Sequence, residues 1–234
     1  VALPAARPGQ IAPIALPRAP GIIDQIFTHS DWDGIFSGAL LKYFSPLARI
    51  EILTPRRLKW GFRNLARSAD KPKRLFIADL PVAGDGDLPD IESSLIDLAR
   101  GGMEIYWYDH HPWSPLCLET IRRDCKDLIV DTRVRNAAEI VRQRLFGPDP
   151  YADKLLGLLG NQSAPEDAEW GASWRRLIAA TQSSGLTSDL VDLIGNLAAN
   201  RPFTVSDRFA INRMAEEETR YRKFAEKRHR KETT

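Results

Sequence analysis

Seven residues in three short clusters carry side chains suited to holding divalent cations. They are His29, Asp31 and Asp33 in HSDWDG, Asp79 in IADL, and Asp109, His110 and His111 in YDHH. Four carboxylates at close range repel strongly unless cations sit between them. Carboxylate and imidazole without thiolate suit manganese, magnesium, iron or cobalt better than a structural zinc ion. The candidates outnumber what one ion needs, so two ions are expected. A pair about 3.5–4 Å apart can activate a water, bind a phosphoryl oxygen and stabilise a leaving group. Read singly, each cluster has a plainer meaning. Asp79 could be a turn residue, Asp33-Gly34 is a turn signal, and a histidine pair is more often hydrogen-bonded than metal-bound. HSDWDG also lacks the later acidic positions of a calcium EF-hand loop.

What argues for one site is the shared position of the clusters, each at the end of a β-rich run. The runs are IIDQIFT before His29, RLFIADL around Asp79 and MEIYWYD up to Asp109, with ARIEILT and DLIVDT as two further strands. Apolar residues at helical spacing mark IFSGALLKYF, the basic stretch after Pro55, LPDIESSLIDLARGG and NAAEIVRQRLFG, the last with Asn136 as its N-cap. Strand and helix alternating in this way predict an α/β fold, a mostly parallel sheet flanked by helices with right-handed crossovers. In such a sheet the carboxyl ends of the strands share one edge, and ligands bind in the crevice there. From Tyr151 onward the pattern is helical throughout. The expected layout is an extended arm over 1–20, an α/β domain over 21–160, a helical extension over 161–205 and a long charged helix over 206–234.

The totals narrow the class. At 234 residues and 43% hydrophobic, the chain can bury a substantial single core. No run of eighteen apolar residues predicts a membrane span. The opening VALPAARPGQIAPIALPRAP has no charged segment before an apolar core, so it reads as an arm and not a signal peptide. Cys117 and Cys125 match no thiolate metal motif or disulfide framework, which suits a cytoplasmic protein with reduced thiols. Net charge is only +2, but eight Lys and Arg residues stand against the single acid Asp70 between Arg56 and Arg74. A basic surface beside an acidic pocket suits a polyanion held for hydrolysis. Within that stretch Arg56, Arg57 and Lys59 interleave with Trp60 and Phe62, as single-stranded DNA or RNA would require, although an amphipathic helix with buried aromatic residues fits the pattern equally well. Arg133, Arg135 and Asn136 precede a helix N-terminus, a second candidate for phosphate binding, or a plain cap with solvated arginines.

HSDWDG, IADL and YDHH resemble, in order and approximate spacing, the first three motifs of the DHH phosphoesterase superfamily, over about residues 20 to 160. The superfamily includes RecJ-like single-strand exonucleases, oligonucleotide and cyclic-dinucleotide phosphodiesterases, and manganese-dependent pyrophosphatases. The resemblance implies a hydrolase using two Mn2+ ions, with Mg2+ or Co2+ as substitutes. It places His29 and Asp31 on one ion, Asp33 and His110 on the other, and Asp79 between them. Asp109 and His111 would orient ligands or contact the scissile phosphate. Two departures stand out. The family supplies a further Asp where this chain has Asn161, unless Asp167 fills that role; a neutral Asn would hold the second ion loosely, which leaves a catalytically weak, nucleic-acid-binding member as the alternative to an active phosphoesterase. No glycine-rich Gly-Gly-Gly-His motif is present, so the substrate would be held by this domain and a protein partner, or by a second domain to which the charged terminal helix connects. Alternatively, that helix is solvated and laced with i,i+4 pairs such as Glu218 with Arg222.

Overall fold

A computed structural model describes residues 11–14, 16, 23–160 and 164–232. The elements run β1 (Gln25–Thr28), α1 (Trp32–Phe44), β2 (Arg49–Ile52), α2 (Leu58–Arg67), β3 (Arg74–Ala78), α3 (Leu88–Arg100), β4 (Glu104–Asp109), α4 (Pro115–Arg122), β5 (Asp127–Val130) and α5 (Ala137–Leu145). Helices α6 (Pro150–Leu159), α7 (Ala168–Ser184), α8 (Thr187–Ala198) and α9 (Val205–Glu232) follow. All five strands are parallel, in the order β2-β1-β3-β4-β5.

The two-residue period of the strands divides the core into two layers. Ile26, Phe76, Ala78, Tyr106 and Tyr108 face a cluster completed by Ile35 and Leu40 of α1, Ile140 of α5, Leu155 of α6, Trp174 of α7 and Ile194 of α8. Phe27, Leu75, Ile77, Ile105 and Trp107 face the opposite layer, formed by Phe62 of α2, Leu95 of α3 and Ile121 of α4. Burial on both faces explains why the central strands read as nearly unbroken apolar runs.

Helix α4 has no counterpart in the sequence reading. It is only eight residues long, carries Pro115 in its first turn, and buries just Cys117, Thr120 and Ile121, too few positions to show a helical period. Its presence is required by topology, because a parallel β4–β5 pair needs a crossover. The terminal helix also differs from expectation in one pairing: Glu218 bonds Arg176 of α7 at 3.0 Å rather than Arg222. In the N-terminal arm, the Ile14 N–H bonds the Arg144 carbonyl at 2.8 Å, which ties the described part of that segment to α5. Among the described residues no helix is long and apolar enough to cross a membrane.

The chain leaves β1 towards β2 on one side and returns to β3 on the other. The loops after β1 and β3 therefore diverge, and a crevice opens above the carboxyl ends of these two neighbours. At the opposite end of the same strands a buried ion pair ties them together. Arg74 at the start of β3 donates to both oxygens of Asp24, at 2.9 and 2.6 Å, and the Ser45 hydroxyl donates to Asp24 at 2.6 Å. The sequence-level count of surface cations included Arg74, but it is 4% exposed and belongs to this structural pair. Removing one partner leaves a buried charge uncompensated. Asp24→Asn should therefore cost about 3–5 kcal/mol in urea denaturation, whereas replacing both partners with apolar residues should recover most of that loss.

Candidate metal centre

The three acidic clusters converge on this crevice. Asp31 is the N-cap of α1: its Oδ1 accepts the Gly34 N–H at 2.9 Å. Its Oδ2 lies 3.0 Å from Nδ1 of His29. Asp33 sits in the first turn of α1, so the cap geometry that starts the helix also aims both carboxylates at the sheet edge. Gly34, readable as a turn glycine, has another purpose. A Cβ there would run into the backbone of His29, so only glycine lets the first turn of α1 pass so close.

Asp79 follows β3 directly and adopts a left-handed backbone with φ 58°. Asp and Asn tolerate that region better than other non-glycine residues. Its carboxylate is 1% exposed, and neither oxygen accepts a hydrogen bond. Three imidazole nitrogens surround it without reaching hydrogen-bonding distance: Nε2 of His110 at 3.5 Å, Nδ1 of His111 at 3.8 Å and Nδ1 of His29 at 4.0 Å. Ligands on one cation with bonds of ~2.1 Å stand about 3–4 Å apart, so the gaps to His110 and His29 suit ions. Two triads have mutually close ligand atoms, Asp79–His110–His111 and His29–Asp31–Asp79, and Asp79 is common to both. The orphaned buried carboxylate and the thiol-free donor set fit a hard or borderline divalent cation.

The electrostatics agree with that arrangement. Burial, then the neighbouring charges of Asp33, Asp31 and Asp109, push the Asp79 carboxyl up to about 10. Burial also raises Asp33, outweighing the N–H groups of Ala137 and Ala138 and the nearby His110. Asp31 goes the other way. Burial is its largest single influence and opposes ionisation, but His29, the neighbouring Asp79 carboxyl, which in its protonated form can share its proton with Asp31, and the Gly34 N–H together hold it well below the usual carboxylate range. The hydrogen bond to Asp109 raises His111.

Asp109 is fully buried, and its oxygens are spoken for by two donors. Nδ1 of His111 lies 2.8 Å from Oδ1, and the indole N–H of Trp113 donates to Oδ2 at 2.6 Å. The carboxylate accepts, so His111 carries its proton on Nδ1 and leaves Nε2 for a ligand. Trp113 reaches Asp109 from the loop after β4. Gln182 of α7, which no motif singled out, donates to the Ser30 carbonyl at 2.9 Å and steadies the loop holding His29 and Asp31. A contact across 152 positions leaves no local signal.

The remaining candidates are distributed differently. Asp33 accepts from the Ala137 and Ala138 N–H groups at 2.7 and 3.1 Å and lies 3.3 Å from His110. Asn136 caps the Glu139 N–H. The first N–H groups of α5 are thus engaged within the chain, which leaves Asn136 as a cap and not a free phosphate donor. Arg133 forms an exposed pair with Asp131, and Arg135 is exposed. Arg56 and Arg57 are exposed in the turn after β2, at the same sheet edge as the centre. Lys59 pairs with Asp87 at 2.6 Å and Arg63 with Asp90 at 2.7 Å, which offsets part of the basic stretch. Of its aromatic residues, Phe62 is core while Trp60 is 53% exposed with Arg63 over its ring. Asp167 is bound to Lys154 at 2.6 Å and belongs to neither triad. Asn161 lies outside the described residues.

No protein-family model and no curated protein matches this sequence. Solved structures do match. An uncharacterized protein from Helicobacter pylori G27 superposes with a TM-score of 0.50 at 14% identity, over 83% of this chain and 62% of its own. That likeness establishes a shared fold, and the chain spans less than two thirds of that protein. An exonuclease RecJ bound to manganese matches at TM-score 0.43 and 14% identity, over 90% of this chain and 65% of that one. RecJ in complex with Mn2+ from Thermus thermophilus gives 0.43 and 13%, over 90% and 37%.

Two outcomes follow from this geometry. A carboxyl raised on folding adds stability below its unfolded value near 4, and that stability is lost as pH rises towards its folded value. Metal-free protein should therefore melt lower as pH rises from 5 to 9. Asp79→Asn, which suits the left-handed backbone, should flatten that slope and raise the melting temperature at pH 8. A slope equal to wild type would show that Asp79 is not the buried acid responsible. Trp113→Phe keeps the ring but removes the donor to Asp109, and should weaken Mn2+ binding in calorimetry by roughly 10–100-fold.

Proposed function

We propose that the chain is a divalent-cation-dependent phosphoesterase of the DHH type, hydrolysing phosphodiester bonds with manganese in single-stranded nucleic acid or short oligonucleotides. The observation that carries this reading is the pair of ligand triads sharing one buried, unpartnered carboxylate, Asp79. An anion in that position accepts no hydrogen bond in the fold, and bound divalent cations would supply its missing partners.

His29, Asp31, Asp79 and His110 would hold the ions; Asp33 is in neither triad but lies 3.3 Å from His110, where the first N–H groups of α5 orient it to join them, and His111 of the second triad would face the substrate. When bound, two divalent cations supply Lewis acidity that lowers the pKa of a water and offsets charge on the phosphoryl group. Asp109 fixes the His111 ring, and the raised proton affinity of His111 suits it to donate to a phosphoryl oxygen or to the departing oxygen. No protein nucleophile is required. Arg56 and Arg57 project from the same sheet edge, one strand beyond β1, where they would meet the phosphates of an extended strand.

The decisive assay is cleavage of a labelled single-stranded DNA with added Mn2+, run beside single-stranded RNA, dinucleotides and pyrophosphate. Wild type should cleave an oligonucleotide, and Asp79→Asn should reduce the rate by at least about a hundredfold. Equal rates for the two proteins would overturn the site assignment, and cleavage of pyrophosphate alone would overturn the substrate class. Charge reversal at Arg56 and Arg57 should raise KM and flatten its dependence on salt, with kcat little changed.

A further inference from the structure

Helix α9 presents two faces. Ile211 is buried, Asp207, Ala210, Met214 and Ala215 are half-covered, and Glu218 bonds Arg176, so this side rests against the body of the domain. The outward side carries Val205, Phe209, Arg213, Glu216, Arg220 and Phe224. Val205, Phe209 and Phe224 are 86%, 72% and 67% exposed. Arg213, Glu216 and Arg220 are exposed with them. At about 100° per residue these six positions fall within an arc of about 100°, forming one straight stripe about 29 Å long. Val205 and Phe209 lie at one end of this stripe and Phe224 at the other, with Arg213, Glu216 and Arg220 between, and from Glu216 to Ala225 every side chain is exposed, so apart from the Glu218–Arg176 pair this stretch of α9 stands clear of the domain.

The stripe also has an internal symmetry. If a second α9 is laid antiparallel with the two-fold axis between Met214 and Ala215, Val205 stands opposite Phe224, Phe209 opposite Arg220, and Arg213 opposite Glu216. Each pairing occurs twice, as a two-fold interface demands. The oppositions among these six are favourable: apolar on apolar, a guanidinium near an aromatic ring, and a cation on an anion; Lys223, in the same arc, meets Ser206, and Arg213 lies 3.9 Å from Glu217 of its own helix, a contact the exchange with Glu216 would supplement. A parallel alignment would instead set Arg213 against Arg213 and Glu216 against Glu216.

We propose that the outward face of α9 is a homodimer interface, occupied by the same face of a second copy in antiparallel register. This goes beyond the phosphoesterase reading and does not depend on it. The charge complementarity of the stripe with its own reverse selects a second copy over an unrelated partner. A contact of this length is at the small end of specific interfaces, so the dimer should dissociate in the micromolar range.

Sedimentation of the 234-residue chain between 1 and 200 µM tests the proposal. Wild type should move from monomer to dimer across that range. Phe209→Asp should remain monomeric, and Val205→Asp provides a second disruption should the first alter folding by circular dichroism. Tyr221→Asp, an exposed aromatic off the stripe, should dimerise as wild type does. Register is tested by charge exchange: Arg213→Glu should weaken the dimer at least tenfold, and Arg213→Glu combined with Glu216→Arg should restore it. A wild-type chain that is monomeric throughout, a dimer indifferent to both Asp substitutions, or a double exchange that fails to restore association would overturn the proposal.

Discussion

The buried carboxylate of Asp79 is the constraint around which the centre is built. A carboxylate removed from water needs hydrogen bonds or opposite charge; this one accepts no hydrogen bond, and the nearest imidazole nitrogens stand 3.5 to 4.0 Å away. Its neighbours make ionisation harder, since Asp31, Asp33 and Asp109 add negative charge on several sides. Isolated, the arrangement is costly for the fold. With cations between the triads, the same proximity becomes favourable, because each added acid then increases affinity for the ions. The left-handed backbone at Asp79 is part of the same cost, a local strain that the flanking strands impose to turn the carboxylate into the crevice.

The topology explains why so few residues suffice. In the order β2-β1-β3-β4-β5, β1, β3 and β4 are consecutive neighbours, so clusters separated by up to eighty positions in the chain end within a few ångströms of one another. The supports come from further away. Asp33 is held by the start of α5, the Ser30 carbonyl by Gln182 of α7, and His111 by Asp109, which is itself held by Trp113. Asp33, His111 and the loop carrying Ser30 thus each have a second partner that restricts their movement, and the helices that bury one face of the sheet also brace the site. The opposite end of the central strands is tied by Asp24 and Arg74, away from the acidic clusters.

The basic stretch shows how charge counting and packing diverge. Its cations look equivalent in the sequence, yet they have three fates. Arg74 is buried, Lys59 and Arg63 are matched by acids of α3 and the turn before it, and Arg56 and Arg57 stand exposed beside the crevice. Its two aromatic residues separate as well, Phe62 to the core and Trp60 to the surface. Helical periodicity determines which side chains share a face, but which face meets the sheet depends on the neighbour that covers it.

Much of the molecule was legible in the chain alone. Five strands, their parallel sense and the convergence of three acidic clusters follow from local periodicity and from the rule that parallel strands end on one edge. The types of side chain gathered at the centre were legible too, because donor chemistry is a property of the residue. Other features were decided by the tertiary structure. Helix α4 is too short to show a period, Gln182 acts across most of the chain, and the N–H groups of α5 are taken by Asp33 rather than by a phosphate. The same holds for the solitary burial of Asp79. Residue type and spacing announce what a side chain is able to do, whereas burial, partner and charge environment arise only when distant segments pack together.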